Sequence, residues 1–313
     1  MKNNRYIFLS IIFLFLTNNM FGQNYLLTFK SENDVLDSVK IDNLTLHSTL
    51  GIQGRIVVNI LDTCLSGNNV DKDGSKALDK RYLKVSDNRT VEYFYYKKNN
   101  LLKITGFSGI NKTVVMIVPK SDTTITFYFE RCVDVDGNSY AVMKIGSQLW
   151  MVENLKTTHY RNGDSIINGS KKELWDTLPS GAYRNYFDMP KYIMYYGRLY
   201  NWFAVNDPRG LAPEGWRIPD VDDWSKMENT AIDGGNDKVI GNQLKEMALV
   251  PAGYCDPKGS FDGIGKEGFW WLAYDADSQK AWYVYLKYST SSVGLTSCNK
   301  HHGFSVRCVK SIK

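Results

Sequence analysis

Short apolar segments in period-two alternation, cut apart by clusters of Gly, Asn, Asp and Ser, fill residues 25 to 129 and commit that stretch to β structure. Tyr25 to Phe29, Val39 to Leu44, Ile56 to Ile60, Val91 to Tyr96, Thr113 to Val118 and Thr123 to Phe129 each have strand length. Turns recurring at this spacing predict a small antiparallel β-sandwich, with Lys72-Asp73-Gly74-Ser75 and Gly106-Phe107-Ser108-Gly109 as loops. No catalytic motif interrupts the pattern.

The first 22 residues have a different character. Lys2 and Arg5 make a basic start, Ile7 to Leu16 is an apolar run short for a bilayer span, and Met20-Phe21-Gly22 ends in a small residue suited to cleavage before Gln23. The expectation is a secretory signal peptide over residues 1–22; the alternative is an uncleaved anchor. No Cys follows the apolar run to carry a lipid, and no later segment is long and apolar enough to span a membrane. A secreted or cell-surface location follows.

Losing Lys2 and Arg5 takes the formal charge from +5 to +3, too mild and too dispersed for a nucleic-acid partner. The apolar fraction of 43% supplies a core, and 313 residues suit two domains after the leader. The boundary is expected near Glu130 to Asp134, giving a β-sandwich-like domain over 23–131 and a second domain over 132–313.

That second domain opens with a turn. Asp136-Gly137 between Val133 and Tyr140 signals a hairpin, because Gly readily takes the positive backbone angles of a tight primed turn. Asp134, Asp136 and Asn138 also look like the start of a calcium loop, but the twelfth position, where a Glu should close it, is Ile145. Farther on, Tyr200, Trp202, Phe203 and Ala204 suggest a short aromatic helix. Asp220 to Ala231 carries a clearer signature: Asp220 as N-cap for the amide of Asp223, acidic residues in the first turn, and Trp224, Met227 and Ala231 on one face. Gly234-Gly235 should stop it, and Lys238 to Met247 predicts another helix. Phe269 to Leu272, Ala281 to Leu286 and Phe304 to Cys308 read as three antiparallel strands. Trp282, Val284 and Leu286 fall on one face of the middle strand, and Tyr283, Tyr285 and Lys287 on the other.

Several landmarks of this half occur in a characteristic order: Asp134 to Tyr140, Ile145 to Lys156, Gly197-Arg198-Leu199-Tyr200-Asn201-Trp202, Gly215-Trp216-Arg217-Ile218-Pro219, Gly268-Phe269-Trp270-Trp271 and Gly303 to Val309. Over residues 134 to 310 the chain resembles the Fibrobacter succinogenes major paralogous domain of bacterial surface proteins. The helix, loop, Trp-Arg-Ile-Pro and helix start are similar to the C-type lectin-like fold and its formylglycine-generating branch. The fold class expected is therefore α+β, a C-type lectin-like domain after the β-sandwich, for which the resemblance implies a spacer or accessory role over residues 23–131. The resemblance implies termini brought together by pairing of the first and last strands, and favours a bridge between Cys132 and Cys308. It also makes residues 251 to 267 the long irregular excursion in which lectin-like domains place binding sites. Cys255 and Cys298, in and beside that excursion, form a second possible pair, which leaves Cys64 over; buried free thiols throughout are the alternative, and connectivity stays open.

On the excursion and beside it, Tyr254, Asp256, Lys258, Asp262, Tyr274 and Asp275 are the candidate ligand-binding residues, since aromatic faces and carboxylates suit sugar stacking and hydroxyl recognition. Trp270, Trp271 and Trp282 read as core. No catalytic residue, metal site or cofactor is expected: the four His show no zinc spacing, and no nucleophile elbow or phosphate loop occurs. Arg217 to Trp224 resembles a helix-capping segment of the formylglycine-generating branch. That branch needs closely spaced active cysteines, and Cys298 and Cys308 stand wider apart. The expected function is a non-catalytic binding or adhesion protein whose partner is an extracellular glycan or protein. The alternative is a structural component of a surface layer or matrix, with an oxidase-like enzyme behind both.

Overall fold

The computed structural model describes residues 25–53, 57–62, 83–84, 90–96, 99–170, 175–231 and 249–312. The leader, Cys64, the Lys72 to Ser75 turn, the Gly234-Gly235 stop expected after Ala231 and the helix expected over Lys238 to Met247 lie outside the described residues. The described chain is mostly β, in several sheets, and divides into two compact units. One runs to Gly109 and takes Val115–Phe129; the other holds Ile110–Val114 and everything from Glu130 onward.

The first unit contains β1 (Tyr25–Ser31), β2 (Ser38–Asn43), β3 (Ser48–Gln53), β4 (Val57–Asp62), β5 (Leu83–Lys84), β6 (Thr90–Tyr96), β7 (Leu102–Ser108), the end of β8 (Asn111–Ile117) and β9 (Thr123–Phe127). One sheet has the order β5-β6-β4-β1-β9, while β2 pairs antiparallel with both β3 and β7. The all-antiparallel expectation is corrected here: β1 lies parallel to β9, and β4 parallel to β6. Local alternation marks a strand but carries no information on which distant strand lies beside it. Leu27, Phe94, Ile125 and Phe127 from one sheet meet Val39, Ile41, Ile52 and Ile104 from the other in one buried core. Gly106, expected in a loop, is in β7, where the Phe127 ring lies 2.8 Å from the place a Cβ would take. Only a glycine allows that approach.

The second unit opens with the predicted turn. Gly137 has φ +81°, its amide donates to the Asp134 carbonyl at 3.0 Å, and Val133 bridges Ser139. Both aspartates face protein donors. Asp134 accepts from the Asn138 amide at 2.9 Å and the Tyr140 hydroxyl at 2.5 Å, and Asp136 from Thr157, Thr158 and His159, which leaves the hairpin reading in place of the calcium loop. Next come β10 (Ala141–Ile145) and β11 (Gln148–Met151), an antiparallel pair; Lys112 to Val114 lie parallel to β10. A small sheet of β12 (Ile167–Asn168), β13 (Ala182–Arg184) and β14 (Leu199–Tyr200) follows, with three short helical segments, α1 (Ile193–Tyr196), α2 (Trp202–Val205) and α3 (Val221–Ala231).

The helix signals hold where described. Asn201 caps α2 by accepting from the Ala204 amide at 3.1 Å, and Asp220 caps α3 by accepting from the Asp223 amide at 2.8 Å. Asp223 reciprocates, accepting from the Asp220 amide at 3.0 Å. The last sheet has the order β16-β15-β17-β18-β19, built from β15 (Ala252–Cys255), β16 (Phe261–Ile264), β17 (Glu267–Asp275), β18 (Lys280–Lys287) and β19 (Ser292–Asn299). Finally β20 (Val309–Ser311) returns to pair antiparallel with β11.

Two expectations are corrected in this sheet. The third antiparallel strand is β19, in register with β18 from Lys280↔Asn299 to Lys287↔Ser292; the Phe304 to Cys308 segment instead bridges Trp270 in parallel and Tyr200 antiparallel. Residues 251 to 267 are a hairpin, with Ala252↔Ile264, Tyr254↔Asp262 and Cys255↔Phe261 in register. The glycines that read as loop breakers sit at its turns: Gly259 and Gly265 have φ +80° and +74°.

The sequence landmarks converge on buried polar contacts. Asn154 Oδ1 accepts from Trp270 Nε1 and from Arg307 Nε, both at 3.0 Å, while its Nδ2 donates to the Tyr196 carbonyl at 2.9 Å and to Ser305 Oγ at 3.2 Å. Arg307, 3% exposed, also donates to the Met151 carbonyl at 3.2 Å, and burial brings its guanidinium down to about 10. Trp271 Nε1 donates to the Tyr200 carbonyl at 2.8 Å and Trp202 Nε1 to that of Leu272 at 3.1 Å. Arg217 pairs with Asp223, which also takes Gln148 Nε2 at 2.8 Å. The landmark from Ile145 to Lys156 thus joins those around Trp270 and Arg307, and Trp271 joins the one around Tyr200.

Glu153, Asp136 and Asp223 are among the carboxylates of this unit that lie below their ordinary range. Burial alone would raise Glu153, but Lys112 Nζ at 2.9 Å and Lys156 Nζ at 3.1 Å outweigh it; for Asp136 the donors are Thr158, His159 and Thr157, and for Asp223 they are Arg217 and the Asp220 amide. A depressed folded-state carboxylate stabilises the fold above its unfolded value, about 4, and that contribution disappears as pH falls through the folded value. Thermal melts are therefore expected to hold level from neutrality to about pH 5 and fall steeply below about pH 4. Glu153→Gln should melt lower at neutral pH and show a shallower acid fall. Equal acid slopes in parent and variant would refute the assignment.

Candidate functional site

Alternation along the last sheet sends Glu267, Phe269 and Trp271 of β17 to the same face as Lys287, Tyr285 and Tyr283 of β18, because these residues are register partners. On this face lies an open cleft of about 330 Å3, lined by Tyr254, Glu267, Phe269, Tyr283, Tyr285, Lys287, Cys298, His302 and Phe304. Phe304, 2% exposed, forms the floor: its ring stacks on Phe269 at 5.2 Å and contacts Tyr283 at 4.7 Å and His302 at 5.4 Å. Tyr254 stands edge-on to Phe269 at 5.0 Å. At the rim, Lys287 Nζ faces Glu267 Oε1 at 3.9 Å, so this charged pair is balanced.

His302 is oriented by its neighbour. Nδ1 lies 3.0 Å from the Asn299 carbonyl, which only accepts, so the proton sits on Nδ1 and Nε2 carries a lone pair. Burial lowers the imidazole below its ordinary value, partly offset by that hydrogen bond, and favours the neutral ring.

A second cleft of about 400 Å3 is lined by Arg131, Asp134, His159, Arg161, Glu214 and Lys310 among others. Its polar groups are largely committed to one another: Lys310 to Glu130 at 2.7 Å, Arg161 Nε to the Ala212 carbonyl at 3.0 Å, and His159 Nδ1 to Asp136 at 2.5 Å. The hydroxyls beside His159, those of Thr157 and Thr158, are bonded to Asp136 and not held as nucleophiles on Nε2. Among the described residues, no three His, Cys, Asp or Glu side chains are grouped to hold a metal.

The structure does not gather the six expected residues into one site. Tyr254 lines the aromatic cleft, and Asp262 lies opposite it in register but lines a neighbouring depression with Lys266 and Glu267. Asp256 caps its own turn, accepting from the Ser260 amide at 2.8 Å, and Lys258 is exposed on that turn. Tyr274, 55% exposed, and Asp275, paired with Lys300 at 2.5 Å, sit beyond the β17 bulge and outside the cleft. Tyr283, Tyr285, Glu267, Lys287 and His302 were missed as site residues. The available signal was the alternation that had already placed Tyr283, Tyr285 and Lys287 on one face.

Neither expected cysteine bridge is present: Cys132, Cys255, Cys298 and Cys308 are free thiols. Cys255 and Cys298 are separately engaged. Cys255 packs with Trp175, Ala182, Tyr186 and Leu199 and takes Arg184 Nη1 at 3.4 Å, whereas Cys298 faces Ala281 across β18 and β19. Cys132 and Cys308 share one buried cluster. Burial pushes the thiols of Cys132, Cys298 and Cys308 far up and that of Cys255 to about 12, against the opposing pull of Arg184. Arg184, also unanticipated, ties the β15–β16 hairpin down through the Gly259 carbonyl at 2.9 Å and a pair with Asp188 at 2.5 Å.

The unit is thus a mostly β scaffold closed by its own terminal strand, with one aromatic cleft on an open sheet face. Residues 143–310, more than half of the chain, match the Fibrobacter succinogenes major domain, and the chain belongs to that family. No curated protein and no solved structure matches it.

Proposed function

We propose that this is an exported, non-catalytic recognition or adhesion protein, secreted or held at the cell surface, whose second unit has the C-type lectin-like fold of the formylglycine-generating branch. The observation that carries the recognition reading is the aromatic cleft over Phe304, rimmed by Glu267 and Lys287. Concave, aromatic and sparsely polar surfaces of this kind suit ligand binding. The basic, apolar, small-residue order of the leader supports export. Pairing of β11 with β20 and the capped α3 after Trp-Arg-Ile-Pro are in keeping with the lectin-like reading. Thiols held protonated by burial speak against oxidase chemistry.

The test is binding of the purified protein to arrays of glycans and of extracellular proteins. A bound partner is expected, and Tyr254→Ala combined with Asp262→Ala should weaken it by about tenfold or more, about 1.4 kcal/mol, with the melting temperature close to the parent's. Undiminished binding by the folded double variant would place recognition elsewhere. A structural role in a surface layer has its own support in exposed Phe187, Met189, Met194 and Tyr195, which offer an apolar surface for assembly.

A further inference from the structure

Tyr285 of β18 is paired with Gly294 of β19. A Cβ on Gly294 would fall 2.3 Å from Tyr285 Cζ and 2.4 Å from both Cε1 and the hydroxyl oxygen. The outer half of the ring therefore lies across the glycine, one face against the β19 backbone, and only a residue without a side chain leaves room for it. This is the cross-strand arrangement in which an aromatic ring covers a strand glycine. The half-buried ring lies beside Tyr283, whose centroid is 6.4 Å away, and Lys287 Nζ stands over it at 5.9 Å. Three polar groups stand around this platform: Glu267 accepts hydrogen bonds, Lys287 donates them, and Nε2 of His302 accepts.

We infer that the cleft binds a neutral pyranose of a glycan, stacked by its C–H face on Tyr285 and held through its hydroxyls by Glu267, Lys287 and His302. The inference rests on the recognition reading above and assigns its ligand class. Three observations select that class. A half-buried ring held flat against β19 complements the flat apolar face of a sugar; the ion pair at the rim, with Lys287 reaching over the ring, supplies acceptor and donor together without net charge; and a hydroxyl both donates and accepts, matching each of them. Among the residues lining the cleft the cation is Lys287, which already faces Glu267, so an anionic sugar would find no unpaired positive charge. A peptide adding as a strand would use the backbone edge of β19, whereas this cleft opens on the sheet's face. The volume, about 330 Å3, is at the lower end of ligand sites, about 300–1,000 Å3.

Calorimetric titration of the full chain with cellotetraose, xylotetraose, mannotetraose and maltotetraose, with tetragalacturonate as the anionic comparison, tests this. At least one neutral tetrasaccharide should bind. Tyr285→Ala should weaken it about tenfold or more, and Tyr285→Phe, which keeps the ring, should stay within about twofold of the parent. Gly294→Ala should weaken it about as much as Tyr285→Ala, although every aromatic side chain remains, because the new methyl lifts the ring; melting curves verify that each variant is folded. Neutral binding untouched by Tyr285→Ala or Gly294→Ala overturns the platform. Binding of tetragalacturonate alone overturns the ligand class, and so does silence toward all five sugars. If the protein arrays then capture a partner whose binding Tyr285→Ala abolishes, the recognition reading survives this failure. Silence there as well removes both.

Discussion

Replacing Asn154 with leucine is expected to destabilise the second unit by about 3–5 kcal/mol, the range for removing one partner of a buried charge. The substitution takes an acceptor from both Arg307 and Trp270 and a donor from the Tyr196 carbonyl and Ser305, while the Arg307 charge stays buried. For a unit of this size the melting temperature should fall by roughly 10 °C. Arg307→Met should cost less, because removing a buried charge is milder than stranding it. Thermal unfolding of the two variants checks the order as well as the size. A loss of under about 1 kcal/mol for Asn154→Leu would mean that packing, and not this network, holds the landmarks together.

The second large effect is expected at Gly253. Its φ is +65°, and a Cβ there would lie 2.3 Å from the Asp262 carbonyl oxygen, 2.6 Å from the Ile264 nitrogen and 2.7 Å from the Tyr186 ring. Two of those neighbours are backbone and cannot swing aside. Gly253→Ala should therefore destabilise by about 2–5 kcal/mol, combining the left-handed conformation with overpacking, and should displace Tyr254 from the cleft. Gly265→Ala separates the two contributions: φ is +74° but nothing lies within 4 Å, so only the conformational cost of about 1 kcal/mol should appear. Equal melting temperatures for the two variants would rule out the steric component.

Strands with strong alternation were legible in the sequence, and so was the Asp220 cap before its acidic first turn; the Asn201 cap emerged only with the fold. β19 was not legible. Ser292-Val293-Gly294-Leu295-Thr296-Ser297-Cys298-Asn299 is small, polar and carries a glycine, so its identity as a strand comes from full register with β18 and not from its own residues. The β15–β16 hairpin was hidden because Gly253, Gly259, Gly263 and Gly265, with Pro251 and Pro257, read as keeping the segment non-helical and irregular, whereas Gly259 and Gly265 serve its turns and Gly253 its close approach to Tyr186. Asn154, Arg184 and Arg307 belong to residue types that are mostly exposed, and nothing local distinguishes a buried one. The cleft was partly legible: Tyr254 and the alternating Tyr283, Tyr285 and Lys287 were on the page, but the distant histidine and the floor that unite them depend on the fold.

The landmarks and the cleft draw on largely different residues, and this has an evolutionary consequence. Phe269 and Phe304 of the floor belong to landmarks, but the walls and rim, Tyr254, Glu267, Tyr283, Tyr285, Lys287 and His302, fall between them. Mutation can rewrite that surround without disturbing the contacts of Asn154 and Arg307, so duplicated copies of such a gene are free to diverge in what they hold while inheriting one frame. Likeness at the landmarks then transfers the fold from one chain to another, and on the recognition reading proposed above specificity has to be read afresh in each from the residues around the floor.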